Sequence, residues 1–558
     1  MAQSRGYEEP TESWDLSVDD RGRRLSEDTL LRTSDYESSP ERGDKVNESS
    51  GFLDYITSST SSIPKFGTLP RIRHFLTKFF LFLIPSFISP YITGVHPPAE
   101  KLYPTAWLDG LRGIACVVVV IHHYAYGYSR DLEHPYDGRY NTMILQLPII
   151  KLIHHGLPMV KIFYIISGFV LTVKAVKLTR VSGAIDAQAL ISNLSTSVWK
   201  RYLRLYIPCA ISFVLCAFIV SLGLFEAVPY GTHPKWVSGL VERRPPSEGN
   251  IFNQLWWAIK DFYIFGIEVT FFDMSNTKYH TDTHLWTIPV EFRNSISLFI
   301  VVAGGCLLKR GLRVYLCLPF LTTALLYNRY WGLALFVFGY FLAELHSDIL
   351  AAAATPLPTA AVEKPSTKKS ILTTLLHVSM ILVGMYLASY PRGMKKTKET
   401  TGFQFLIALT PRKYPLGGGK TYDHTNDFWQ CVGSMMIVWA LLYMPRIQKA
   451  ILCNKVVQYF GKISFALYIM HGHIHRSVGY WVVVNGLKCA GIWHWDGGRG
   501  EWVVQGGRDS VYNAIIVGGF FLITFPMTVC WADVFWRAAD LQSVRFLRWL
   551  ETKIKRSG

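Results

Sequence analysis

Apolar stretches of about twenty residues, each long enough to cross the hydrocarbon of a bilayer as a helix, recur along this 558-residue chain and leave it few ways to fold. The sequence predicts about ten of them, near 107–127, 157–175, 207–227, 285–308, 314–329, 331–347, 371–390, 428–444, 459–484 and 511–535. In lipid each backbone polar group must find its partner inside the protein, which a helix achieves within one segment. The expected class is therefore an all-α, polytopic membrane helix bundle of about ten transmembrane helices. Composition agrees, because charged residues make up only 17% of the chain, below the ~25% of a soluble domain. The fifth and sixth segments are separated only by Asn328, Arg329 and Tyr330, which predicts a tight helical hairpin. The aromatic stretch Phe252–Phe272 carries Lys260, Asp261 and Glu268, and reads as an interfacial or partly buried helix.

Around these segments lie three others. Residues 1–70 are rich in Ser, Asp, Glu and Arg with scattered apolar residues, too few to offset the entropy of ordering, and are expected to be a disordered cytosolic tail. Residues 71–100 include the apolar stretch Phe75–Thr93, broken by Pro85 and Pro90, and read as an interfacial, juxtamembrane segment. A membrane domain over 101–545 follows, then a basic cytosolic tail over 546–558. No charged stub with a short apolar core and small-residue cleavage site is visible at the start, so insertion is expected to rest on internal spans.

Charge sets the orientation. Residues 1–50 hold seven basic and thirteen acidic residues, a net of −6, which leaves +23 for the rest of a chain whose total is +17. The basic residues stand in short clusters between apolar runs rather than in a stripe with stacking aromatics, which argues for a cytoplasmic leaflet and against nucleic acid. Lys174, Lys177, Arg180, Lys200, Arg201 and Arg204 fall in one loop, Lys309, Arg310 and Arg313 in the next, and Arg446, Lys449 and Lys455 in a later one. An even number of spans with both termini cytosolic satisfies them, and only the long loop holding Lys395, Lys396 and Lys398 dissents. The sequons at Asn47 and Asn193 then lie inside and stay unmodified. The nine cysteines mostly lie in or beside spans, so neither a disulfide scaffold nor a Cys-x-x-Cys metal site is expected.

The first span reads Trp107-Leu-Asp-Gly-Leu-Arg-Gly-Ile-Ala-Cys-Val-Val-Val-Val-Ile-His-His and places Asp109, Arg112, His122 and His123 in an apolar helix. Ionisable groups at membrane depth cost a few kcal/mol each and usually face a cavity or a partner. Arg112 and His123 stand eleven residues apart, about three turns, so they share a helix face roughly 16 Å apart along the axis. Asp109, one turn before Arg112, can pair with it. Two readings stay open: a salt bridge with an interfacial histidine pair, or a polar seam from the cytosol to the opposite face.

Leu108-Asp-Gly-Leu-Arg-Gly-Ile-Ala followed by His123 resembles the opening signature of the acyltransferase-3 family of membrane-bound, acyl-CoA-dependent acyltransferases. Four further stretches resemble that family's motifs in the same order: Phe163-Tyr-Ile-Ile-Ser-Gly-Phe-Val-Leu, Lys200-Arg-Tyr-Leu-Arg-Leu-Tyr-Ile-Pro, His284-Leu-Trp-Thr-Ile-Pro-Val-Glu, and Phe460-Gly-Lys-Ile-Ser-Phe-Ala-Leu-Tyr-Ile-Met-His. The resemblance implies an enzyme that transfers acyl groups other than amino-acyl groups, with Arg112 and His123 as the family's arginine and histidine. It implies acyl-CoA as co-substrate, short acyl groups such as acetyl, and no tightly bound cofactor. Lys161 departs from the aspartate of many relatives, Pro289 from a serine and Phe465 from a tyrosine. The loop from about 391 to 427 lies outside the motifs, and acceptor choice is expected to vary there.

Acyl transfer from a thioester to a hydroxyl needs a base for the hydroxyl proton and donors for the developing oxyanion. His123 suits the base, since imidazole titrates near the working pH, and a covalent acyl-histidine is an open alternative. Catalytic roles are expected for His123, Arg112 and Glu291. The phosphates of coenzyme A suit Arg112, Lys200, Arg201 and Arg204, because guanidinium forks match phosphate oxygens; the plainer role of that loop is a positive-inside anchor. Asp109, Ser167, Trp286, Tyr468 and His471 are candidates to line the substrate. For Ser167 close helix packing competes, for Glu291 pairing with Arg293, and for Trp286 a place in the interfacial belt.

Ser464, Tyr468 and His471 recur at helical spacing, and His471, His473 and His475 form a run. On a helix only His471 and His475 align, one ligand short of a catalytic zinc site, and no metal is expected. The competing function is a secondary transporter or flippase using Arg112, His123 and Glu291 as a polar path; the repeats that would favour it are not visible. A structural membrane scaffold ranks third. The acceptor would be a carbohydrate, lipid or small natural product, and the location an endomembrane or the plasma membrane, with the protein crossing it several times.

Overall fold

The computed structural model describes residues 77, 79–94, 102–139, 141–180, 187–226, 245–272, 279–354, 367–391, 402–414, 424–496, 501–504 and 510–554. The expected tail over 1–70, with Asn47, lies outside them. Helices dominate: α1 (Ala106–Tyr128), α2 (Gly156–Leu178), α3 (Ala187–Ser221), α4 (Ile251–Tyr263), α5 (Thr287–Gly305), α6 (Leu318–Tyr327), α7 (Trp331–Ala354), α8 (Thr367–Ala388), α9 (Thr425–Leu442), α10 (Lys455–Ile474), α11 (Tyr480–Cys489), α12 (Ser510–Gly519), α13 (Phe525–Phe535) and α14 (Leu541–Ile554). The strands β1 (Trp493–Asp496) and β2 (Glu501–Val504) form a small antiparallel hairpin.

Among the described residues seven helices are long and apolar enough to cross a membrane, or eight if α9 and the bent helix after it count as one span. The protein is thus a polytopic helical membrane protein, and the figure of about ten is not reached on these criteria. Segments 314–329 and 459–484 are helical without being among the seven: α6 is short, and α10 carries buried histidines where a lipid-facing helix would be apolar. The stretch 252–272 is α4 continued by a π-helical turn over Ile264–Phe272, beside α3, with Phe252, Trp256 and Phe272 exposed. Within 71–100, Ser86 is held by Asp533, while Phe80, Tyr91 and Ile92 stay exposed. The boundary at 545 falls inside α14, whose Glu551 pairs with Lys200 of α3. All nine cysteines are free thiols, and Cys489 is exposed.

α1 is the hub. Leu108, Leu111, Ala115 and Val119 join one apolar core with α2, α5, α7 and α9. Cys116, Val120 and Tyr124 on its other flank join a second core with α3, α10 and α13. α1 and α10 run in parallel at close range: a Cβ on Gly113 would sit 2.5 Å from the Gly461 nitrogen, and one on Gly461 2.4 Å from the Asp109 carbonyl oxygen. Small residues allow this approach, which helix association in lipid exploits. Further along the pair, the Cys116 thiol donates to the Ser464 carbonyl at 3.1 Å, and His123 comes level with His471.

Candidate active site

The parallel register of α1 and α10 builds the site. At one end Arg112 ties the helices together, pairing with Asp109 at 3.1 Å and donating to the Gly461 carbonyl at 3.0 Å. Three turns on, the His123 ring meets His284 edge to face with centroids 4.2 Å apart, and His471 at 5.1 Å. His284 and His471 are themselves 4.8 Å apart. His284 and His471 are buried, and His123 is half-buried. Between the two ends α10 presents Phe465, over which Arg204 lies, and Tyr468, whose hydroxyl donates to the His284 carbonyl and bonds Thr287 at 2.7 Å.

Each imidazole is oriented by a different partner. His284 Nδ1 lies 2.7 Å from Asp282 Oδ1, and the carboxylate also accepts the His284 backbone N–H at 3.1 Å. His471 Nδ1 lies 2.6 Å from the Tyr468 carbonyl, and its Nε2 is buried with no hydrogen-bond partner. A carboxylate and a carbonyl only accept, so both rings carry the proton on Nδ1 and keep Nε2 as the basic nitrogen. Asp282 is fully buried. Its second oxygen faces Arg476 at 3.6 Å and His473 at 3.8 Å, and His473 reaches Ser212 at 2.8 Å on its other side.

The basic residues expected to gather around phosphates are each committed to a carboxylate. Lys200 pairs with Glu551, Arg201 with Glu291 and Arg204 with Asp540. Arg201 and Arg204, one turn apart on α3, therefore point to different partners rather than to one anion site. Only Arg112 and Arg204 keep about a third of their side chains exposed, 32% and 34%. They also share a neighbour, since Gly461 and Phe465 stand one turn apart on α10. Glu291 pairs with Arg201 rather than Arg293, which donates to the Val269 carbonyl at 2.6 Å. Ser167 donates to Glu291 at 2.7 Å, and Arg201 Nε reaches Ser295 at 3.1 Å. Ser464 shares the helix face of Tyr468 and His471, and its hydroxyl turns back to the Gly461 carbonyl at 2.8 Å. Asp109 is buried and accepts from Tyr103 as well as Arg112, while Trp286 is half-buried at the start of α5. The departure at Lys161 has a local counterpart: its buried amine pairs with Asp427 at 3.0 Å and lies 4.7 Å over Trp331.

Beyond His123, the turn over residues 130–155 closes the end of α1. Lys151 donates to the carbonyls of Leu132, Glu133 and His134 at 3.1, 2.6 and 3.1 Å. Burial pushes its amine down to about 7, against the pull of Glu133, and burial likewise lowers His154. A small cleft beside His122 is lined by these two residues with Glu133 and His155.

His123, His284 and His471 place ligand nitrogens within 4.8 Å of one another. Around tetrahedral zinc, with Zn–N near 2.1 Å, the spacing is roughly 3.4 Å. At its widest the group is more open than a bound ion would hold it. Asp282, His473 and Arg476 were not legible as site residues, and His284 only as part of a motif. The signal available was an Asp-x-His spacing at the entry to an apolar helix, which takes meaning only once α10 is packed against it.

A membrane helix bundle whose polar centre is a set of oriented imidazoles in line with a guanidinium is the architecture of an integral membrane enzyme. The chain matches the acyltransferase-3 family, an acyltransferase domain, over residues 105–537, and belongs to that family. Among its relatives are the O-acetyltransferase PaAT-1 of Phomopsis amygdali, 27% identical over 82% of this chain and 86% of that protein, and the acyltransferase clz18 of Cochliobolus lunatus, 23% identical over 69% and 86%. An acyltransferase of a Phoma species is 21% identical over 77% of this chain and 91% of its own length. No solved structure matches. The protein is an acyl-transferring membrane enzyme.

Proposed function

We propose that this enzyme moves an acyl group, acetyl in the first instance, from acyl-CoA to a hydroxyl of a carbohydrate, lipid or small natural product. His123 is the base. It lifts the acceptor's hydroxyl proton as the oxygen attacks the thioester carbonyl, the C–S bond breaks, and the proton ends on the coenzyme A sulfur. The observation that carries this reading is the His123 ring set against two buried imidazoles, three turns along one helix from a partly exposed Arg112. The O-acetyltransferase relative supports an oxygen acceptor.

The donor's phosphates are assigned to Arg112 and Arg204, where a guanidinium reaches solvent, with Lys200 and Arg201 behind them. Arg201 also holds Glu291 and, through it, Ser167, so Glu291 acts by ordering the polar centre of the bundle. Tyr468, Trp286 and His471 line the acceptor side. The parallel run of α1 and α10 supports an arrangement in which both begin at the cytosolic face, where the donor enters. The protein spans an endomembrane or the plasma membrane, with both termini cytosolic.

The test is transfer of label from acetyl-CoA by the purified protein into a cell extract, with products read by mass. Labelled esters with wild type and none with His123→Ala support the reading. Thioester consumption at the wild-type rate in His123→Ala removes His123 as the base.

A further inference from the structure

The buried Asp282 has no part in the reading above, yet it is the best-organised carboxylate near the imidazoles. Its Oδ1 receives both the backbone N–H and the ring Nδ1–H of His284. Arg476 stands behind Oδ2 at 3.6 Å and is itself fixed by the Gly472 carbonyl at 3.0 Å and the Thr281 carbonyl at 2.7 Å. α10 makes room for the pair with a glycine: a Cβ on Gly472 would lie 2.6 Å from His284 Nδ1 and 2.7 Å from Asp282 Oδ2. His471, the other ring against His123, has only a carbonyl behind it. A base oriented by a third, charged group is the arrangement by which nucleophile–base pairs are activated.

We infer that Asp282 and His284 form a positioning pair that holds the transferred proton during the reaction. This rests on the reading of His123 as the base. The hydroxyl proton taken by His123 passes to His284 Nε2, and the resulting imidazolium is stabilised through Nδ1–H by the Asp282 carboxylate. As the new C–O bond forms and the C–S bond breaks, the proton returns through His123 to the thiolate. The products are ester and thiol, no proton is gained or lost overall, nothing is oxidised, and Asp282 stays ionised throughout. Arg476 balances the carboxylate, so the resting site is neutral and gains its positive charge only while the proton is stored. The groups facing His284 are His123 on α1, Asp282 on its own segment, and His471, His473, His475 and Arg476 on α10 and the turn after it.

Asp282→Asn in the full-length protein keeps an oxygen for the His284 N–H groups and removes the charge. The expected result is a kcat roughly 10²–10⁴ lower, with KM for acetyl-CoA and acceptor within about twofold of wild type. The acid limb of the pH–kcat profile should move to lower pH, because the stored proton loses its counter-charge. Wild-type kcat, or a loss of activity with an unchanged pH profile and a raised KM, makes Asp282 a structural residue and overturns the inference. If Asp282→Asn does not fold, His284→Gln decides: a similar fall in kcat with a wild-type melting profile sustains the relay, and a wild-type rate ends it. His123→Ala separates this inference from its premise. A wild-type rate there removes both, whereas an inactive His123→Ala beside fully active Asp282→Asn and His284→Gln removes the relay alone.

Discussion

Two polar clusters in this bundle are built on opposite principles. Where α2, α6 and α7 come together with the turn before α6, Arg180, Arg310 and Arg313 meet Glu344 and Asp348, and each charge has an opposite charge within 4 Å. Arg313 grips Glu344 through Nε at 3.0 Å and Nη2 at 2.7 Å. Around His123 the rings stand in front of one ion pair, Asp282 with Arg476, and the His471 Nε2 is left without a partner. An unpaired buried acceptor costs about 1–3 kcal/mol. A cluster that serves the fold matches charge to charge; one that serves a reaction leaves a basic nitrogen open for a substrate proton.

The sharpest way to break that contrast is to remove one member of each. His123→Ala should lower kcat by roughly 10²–10⁴ while thermal unfolding in detergent stays near wild type. Glu344→Ala should do the reverse, costing about 3–5 kcal/mol by stranding Arg313 with activity per folded molecule retained. A stable Glu344→Ala, or an unfolded His123→Ala, would erase the distinction between the clusters.

Smaller effects sharpen it. Arg204→Gln should weaken acetyl-CoA binding about 10-fold through loss of a charge-assisted contact, read by calorimetry; unchanged affinity would leave Arg204 as the partner of Asp540 only. A further effect belongs to the turn beyond His123. The unfolded Lys151 amine keeps its proton to about pH 10.5 and the folded one to about 7. Between those values the unfolded chain binds the extra proton, so stability rises with pH, by at most about 1.4 kcal/mol per unit. Below about pH 7 both states are protonated and the dependence ends. Lys151→Met should flatten that slope in melting curves taken from pH 7 to 9.

Much of the fold was legible because bilayer physics is read locally: a segment such as 157–175 is apolar over the length that a membrane needs, whatever its neighbours. The three segments outside the seven qualifying helices, 314–329, 428–444 and 459–484, mark the limit. Segment 459–484 is apolar by count, yet its polar residues are turned inward, and a linear scan cannot separate a lipid-facing helix from one that carries the site. The candidate site divides in the same way. Arg112 and His123 could be placed on one face from their spacing, and the motif match gathered Ser167, Glu291, Tyr468 and His471 around them. The partner of each could not be read. Glu291 stands two residues from Arg293 and takes Arg201 instead, ninety residues away.

The linear chain by itself determined the class of protein, the helices, and the guanidinium and imidazole aligned on α1, because periodicity and segment length act within a turn or a span. Only the tertiary structure decided that His284 and His471 would meet His123, that Asp282 would back one of them, and that the basic residues of α3 would part company. Apart from Asp282 beside His284, those contacts join residues ninety or more positions apart. They depend on the register of α1 against α10 at Gly113 and Gly461, where the absence of a side chain lets two backbones touch.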